Sequence, residues 1–289
     1  MEIDIKKIIS LHNKEIGNIY NKYPKDTRVS ISQVKDSLAI EFDRERVALK
    51  TYNDHHEDKD SIYFKKSVDE IIEMWDAKSE SSKRMGNLVD DFIGLAYNQW
   101  ESEDKPSKDL ADKLYENAGD NVKKKYEGVR RALKEFKDNN LKFECREMPL
   151  YLRYPYKKKT WLVNGRFDAI FSNAKQLLVV DWKNSEEIKD KNPWQKMLGP
   201  CKAFDDCDLI KFTIQVYLYI YILKHEYGVN VPMSSCIVQF PAQKDYFYKI
   251  FMPGFTYSDE LMQKIIEYSI DKRIEEFKDK KKKKKEMEP

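Results

Sequence analysis

Asp181 and Lys183 stand one residue apart at the end of Leu177-Leu178-Val179-Val180, an apolar run with the length and branching of a buried strand. Side chains alternate along a strand, so the carboxylate and the ammonium share one face and Trp182 points to the other. Upstream, Val163 to Phe171 reads as a second strand carrying Asp168, and Ser172-Asn173-Ala174-Lys175 is a polar link short enough for a hairpin. A hairpin that sets Asp168 beside Asp181 gathers two carboxylates and one ammonium at one end of a sheet. Two carboxylates at one spot repel each other unless a cation separates them. Hard oxygen ligands with no Cys or His nearby suit Mg2+ or Mn2+. A lysine beside them can orient an attacking water, help deprotonate it, or stabilise the charge that builds on phosphorus. The chemistry this points to is metal-assisted hydrolysis of a phosphodiester.

An isolated D-x-K is more often a surface ion pair, so the residues around it decide. Glu147 lies in Leu141 to Tyr151, which reads as a strand ahead of the hairpin. Downstream, Phe212 to Leu223 is apolar and aromatic at helical spacing, with Gln215 and Tyr219 four apart and therefore on one face. A glutamine in an apolar helix needs a hydrogen-bonding partner.

An upstream Glu (Glu147), G-x-x-D (Gly165 to Asp168), D-W-K (Asp181 to Lys183) and Q-x-x-x-Y (Gln215 to Tyr219) stand in this order. The set resembles the PD-(D/E)XK nuclease superfamily, in its RecB-like exonuclease branch, over roughly residues 80–225 and at the level of motifs. The run Asp181 to Glu186 looks like the D-W-K-T-S segment of that branch's mitochondrial genome maintenance exonucleases. The resemblance implies Asp168 and Asp181 as metal ligands, assisted by Glu147, with the Trp182 backbone carbonyl as a further oxygen. It implies Lys183 as the residue that positions or activates water, and Gln215 and Tyr219 as site support or nucleotide contacts. One position departs from the pattern. The branch carries G-x-x-x-H on a helix before the sheet, whereas Gly86 to Asp90 puts Asp90 where the ligating His is expected. Some members hold an iron–sulfur cluster through one early and three late cysteines. The cysteines here, at 145, 201, 207 and 236, do not follow that spacing, and no cluster is expected.

The elements that must position these groups are legible in outline. Residues 2–22 show helical spacing, Ser32 opens a helix to about 50, and Ser67-Val68-Asp69-Glu70 is a capping box. Helices are predicted over 82–100 (carrying Asp90), 107–118 and 121–138. Residues 184–211 lack periodicity and read as an ordered loop beside the site. The helix after it ends before Gly228, Ser235 to Phe240 and Asp245 to Phe251 read as closing strands, and a last helix runs to about 277. The lysine block at 280–285 reads as a disordered, solvated tail.

Charged residues make up 36% of the 289-residue chain, yet its net charge of +3 argues neither for nor against nucleic acid. No signal peptide and no apolar run of about 18 residues is visible, so an intracellular protein with no membrane partner is expected. The predicted architecture is α/β: a mixed central sheet from 141–183 and 235–251 flanked by helices. An N-terminal helical region (1–140) packs on a nuclease core (141–279), and 280–289 forms the tail. The predicted activity is a Mg2+- or Mn2+-dependent deoxyribonuclease, an exonuclease acting on single strands or free DNA ends. Two other readings stand beside it: a non-catalytic nucleic-acid-binding module, and an interaction subunit of a replication or recombination complex.

Overall fold

The apolar run and the D-W-K triplet form one strand, β6 (Leu177–Lys183), at the centre of a five-stranded sheet in the computed structural model. The structure describes residues 4–17, 19–101 and 119–286. Alongside β6 lie β5 (Ala169–Ser172), antiparallel, and β7 (Met233–Gln239), parallel. The outer positions are held by β2 (Lys142–Arg146) and β8 (Lys249–Phe251). A parallel neighbour requires a crossover, and α7 (Asp208–His225) supplies it. That helix is apolar almost all round because it is buried between the sheet and α8 (Asp259–Glu286). The opposite face of the sheet is covered by α5 (Val68–Glu101) and α6 (Asp120–Asp138). Helices on both faces explain why β6 reads as a continuous apolar run without alternation.

The fold class is the predicted one, but its strands divide differently. A second, three-stranded sheet takes β1 (Arg28–Ser30), β4 (Lys159–Arg166) and β3 (Pro149–Tyr156), in the order β1-β4-β3. The stretch 141–151 is therefore two strands, broken at Glu147, whose φ of 48° turns the chain out of β2. Pro149 then begins β3 without an N–H of its own to pair. The stretch 163–171 breaks at Phe167-Asp168, directly opposite. Both chains pass from one sheet to the other at the same level, joined there by Glu147 N–H donating to the Asp168 carbonyl at 3.2 Å.

The N-terminal region is helical but contributes β1 to the small sheet. Its first helix is split by Gly17, at φ 64°, into α1 (Ile5–Ile16) and α2 (Ile19–Lys22). Ser30, not Ser32, opens the next: its hydroxyl accepts from Gln33 N–H and the Gln33 side chain accepts from Ser30 N–H. That helix, α3 (Ile31–Ser37), ends well before 50, and α4 (Arg44–His55) starts afresh on the Asp43 cap. The Ser67 capping box is present, and the helix it opens, α5, runs unbroken through the 82–100 segment. The predicted helix 107–118 lies outside the described residues. The lysine block is not a coil: α8 continues through it to Glu286. Among the described residues, no helix is long and apolar enough to cross a membrane.

Candidate active site

Trp182 decides which way β6 faces. Its indole stacks on Phe240 (centroids 5.7 Å apart) and meets Phe171 edge-on, within the aromatic layer under α6. Alternation then delivers Asp181 and Lys183 to the opposite face, toward α7. Asp181 is fully buried, and Lys183 Nζ lies 2.7 Å from its Oδ2. The other carboxylate oxygen, Oδ1, accepts from Gln215 Nε2 at 3.1 Å. That amide also reaches the Tyr219 hydroxyl at 3.3 Å, which donates to the Arg166 carbonyl at 2.7 Å. The Q-x-x-x-Y motif is thus a strut: one helix face clamps Asp181 at one end and the last residue of β4 at the other.

Gly165 is what lets that strut close. A Cβ there would come within 2.6 Å of Ile31 Cδ1 and 2.9 Å of the Tyr219 ring. Two residues after β4 ends, the Asp168 Oδ2 accepts from Trp182 N–H at 2.7 Å, pinning the carboxylate across the hairpin from D-W-K. Burial, and then the neighbouring Asp181 carboxylate, push Asp168 up to about 8. Burial alone would pull Lys183 down, but Asp181 and Asp168 outweigh it and hold Lys183 above the usual lysine value. Lys183 is therefore an ammonium at neutral pH.

Asp90 and Glu147 form the outer, solvent-open side. Partial burial on α5 and the Glu147 carboxylate raise the Asp90 pKa. Arg146 Nη1 donates to the Asp90 carbonyl at 3.3 Å, which ties α5 to the end of β2. Asp168, Asp181, Lys183, Gln215 and Tyr219 are thus brought into one bonded cluster. Asp90 and Glu147 join it through the field and the backbone. The cluster also contains groups that no motif flagged: Arg146, Phe212 and Lys35. The Phe212 ring lies 4.6 Å from Lys183 Nζ, and Lys35 Nζ donates to Gln215 Oε1 at 3.4 Å. An aromatic before Gln215 was visible in sequence; a lysine on a distant helix was not.

The donor set suits a hard cation. The buried Asp181 and the half-buried Asp168 share one ion-paired ammonium, Lys183, and a further positive charge would let Asp168 ionise near neutral pH. Among the described residues, no three or more His, Cys, Asp or Glu side chains form a ready-made metal cage. Such a cage is not required where water completes the coordination, as Mg2+ prefers. The four cysteines are buried as thiols, and burial pushes Cys201 and Cys236 up to about 12.

No protein-family model and no curated protein sequence matches the chain. Several solved structures are similar, among them two over most of each chain. One is named "Putative exonuclease", from Eubacterium rectale, at 14% identity and a TM-score of 0.44, over 89% of this chain and 84% of that one. The other, of a protein named SSO0001, has 13% identity and a TM-score of 0.35, over 92% and 83%. At these scores neither likeness decides the function, which rests on the side chains.

Proposed function

We propose that the protein is a divalent-metal-dependent deoxyribonuclease, acting on single strands or free ends. The observation that carries this is the Asp168–Asp181–Lys183 cluster, locked by Trp182 N–H and Gln215 at the end of a buried hairpin. A surface ion pair has no need of such burial. A structural buried pair would match one carboxylate to one ammonium.

Asp168 and Asp181 would hold Mg2+ or Mn2+, with Asp90, Glu147 and the Trp182 carbonyl as further oxygens. Bound there, the cation would offset negative charge on the phosphate and lower the pKa of water. Lys183, an ammonium, enters as a donor and not as a base. It orients water and stabilises the charge that develops on the phosphoryl oxygens. The hydrolysis forms one phosphorus–oxygen bond to water and breaks one ester bond; the leaving oxygen takes up a proton as another is released by the water. Gln215 and Tyr219 keep Asp181 from rotating while this happens.

The test is degradation of end-labelled single-stranded DNA with Mg2+, Mn2+ or EDTA, comparing wild type with Asp181→Asn. A ladder or mononucleotides, lost in EDTA and in the variant, supports the reading and shows the end attacked. A second reading, a non-catalytic DNA-binding module, is favoured by one feature: Lys183 already neutralises Asp181, and Trp182 N–H already occupies Asp168. Binding without cleavage in either metal would select it.

A further inference from the structure

Lys35 is a buried-side cation that the D-W-K chemistry leaves unused. It lies on α3, far upstream of the motifs, yet its ammonium reaches the site, 3.4 Å from Gln215 Oε1 and 5.8 Å from the centre of the Phe212 ring. Lys183 faces the same ring. Among the described residues, no carboxylate closes an ion pair with Lys35; Asp181 and Asp36 attract it only from a distance, while Lys183 and Lys211 oppose it. Burial, and then Lys183, lower its pKa. An ammonium taken partly out of water without a counter-ion is unfavourable, and its usual escape is to swing into solvent.

The helix that carries it does not drift. Val34 and Leu38 on either side are fully buried. The hydroxyl groups of Ser37 and Ser269 are 2.7 Å apart, tying α3 to α8, and Leu198 N–H donates to the Leu38 carbonyl at 2.7 Å. The chain thus holds a second cation in place beside Asp181, where an anion could complete it. A lysine is a point charge well matched to a phosphate oxygen. We propose that Lys35 contacts a phosphate of the nucleic-acid strand lying across Asp168 and Asp181; this rests on the nuclease reading above.

The experiment is fluorescence-anisotropy binding of a labelled oligothymidylate in EDTA across a salt series, for wild type, Lys35→Gln and Lys35→Arg, beside Mn2+-dependent cleavage. A lost phosphate contact lowers the slope of log affinity against log salt by about 0.7 for a single strand. Lys35→Gln is expected to show that drop, with several-fold weaker binding and a raised KM, and Lys35→Arg to restore the slope. Lys35→Met, which keeps the aliphatic stem, is read in the same way if the Gln variant folds poorly. An unchanged slope and unchanged KM in a folded variant, with wild type binding and cleaving, overturns the role of Lys35 alone. Wild type that neither binds nor cleaves removes the nuclease reading and this contact with it.

Discussion

A buried and a half-buried lysine sit on opposite faces of the central sheet, and they do opposite things. Lys125, on α6, is 2% exposed and donates to the Phe240 carbonyl at 2.6 Å and to Glu186 Oε1 at 3.2 Å. Glu186 in turn accepts from Ala242 N–H and Gln243 N–H. Although burial pushes its carboxyl up, those amides and Lys125 win and hold it below the usual range. One ammonium meets one carboxylate, every lone pair has a use, and the loop after D-W-K is fixed to the β7–β8 turn. Lys183 pairs with Asp181 and lies in the field of Asp168, which burial and then Asp181 push up to about 8. A balanced pair is scaffold; an unbalanced one is poised to take another charge.

The sharpest way to break this comparison is to remove each ammonium. Lys183→Met is expected to lower kcat by about 10²–10³-fold, the usual loss for one preorganised donor in a water-poor site. Because it also leaves the fully buried Asp181 without its ammonium, its melting temperature should fall as well. Lys125→Met is expected to lower the melting temperature while leaving kcat nearly unchanged. Breaking a fully buried pair costs about 3–5 kcal/mol. Because the Glu186 side chain stays 41% exposed, water would take over part of the lost contact, and the melting temperature should fall by several degrees. Thermal unfolding and steady-state cleavage on the same two preparations check both. Equal losses of activity in the two variants would show that Lys183 is scaffold as well.

Asp168→Asn sharpens the same contrast at smaller amplitude. The folded chain keeps a proton on Asp168 up to about pH 8, whereas an unfolded aspartate releases it near pH 4. Between those values the folded state binds more protons, so wild-type stability in EDTA falls as pH rises. The Asn variant lacks that slope. It should unfold a few degrees higher than wild type at pH 8 in EDTA, while losing cleavage. On the proposed reading Mn2+ binding would displace the same proton, so wild-type affinity should rise with pH, by up to tenfold per unit below pH 8. Calorimetric titration from pH 6 to 9 reads this; a flat profile would show that Asp168 is not the group the metal ionises.

The sequence carried the D-W-K strand, its hairpin, the two-sided burial and the Q-x-x-x-Y face, because each rests on local periodicity. Asn173, whose side chain accepts from both Lys175 N–H and Gln176 N–H, closes the hairpin through contacts within four residues. What it did not carry depends on encounters between distant segments. The crossing of two chains at Glu147 and Asp168 has no periodic signal. Lys35 is one lysine among many until the Ser30 cap and Ser269 place its helix. Ser32 was a reasonable cap by residue type, but Ser30 wins because Gln33, three residues on, can return the bond.

Gly165 gives the finest test of how such encounters set the site. Gly165 lies within β4 and its φ is not in the left-handed region. Its requirement is space. An added methyl would fall 2.6 Å from Ile31 Cδ1 and 2.9 Å from Tyr219 Cε1, so both the tip of Ile31 and the buried tyrosine must yield. Ile31 can rotate its terminal carbon. Tyr219 can shift only by loosening its bonds to Arg166 and Gln215, which frees Asp181 to turn. Gly165→Ala is therefore expected to cost about 1–3 kcal/mol of stability, as overpacking does. With it should come a several-fold drop in kcat at nearly constant KM. Pairing it with Ile31→Val, which removes the first clash and leaves the second, separates the two. If the double variant recovers stability but not kcat, the strut from β4 through Tyr219 and Gln215 to Asp181 carries the catalytic geometry; if it recovers both, the glycine serves only the packing of α3.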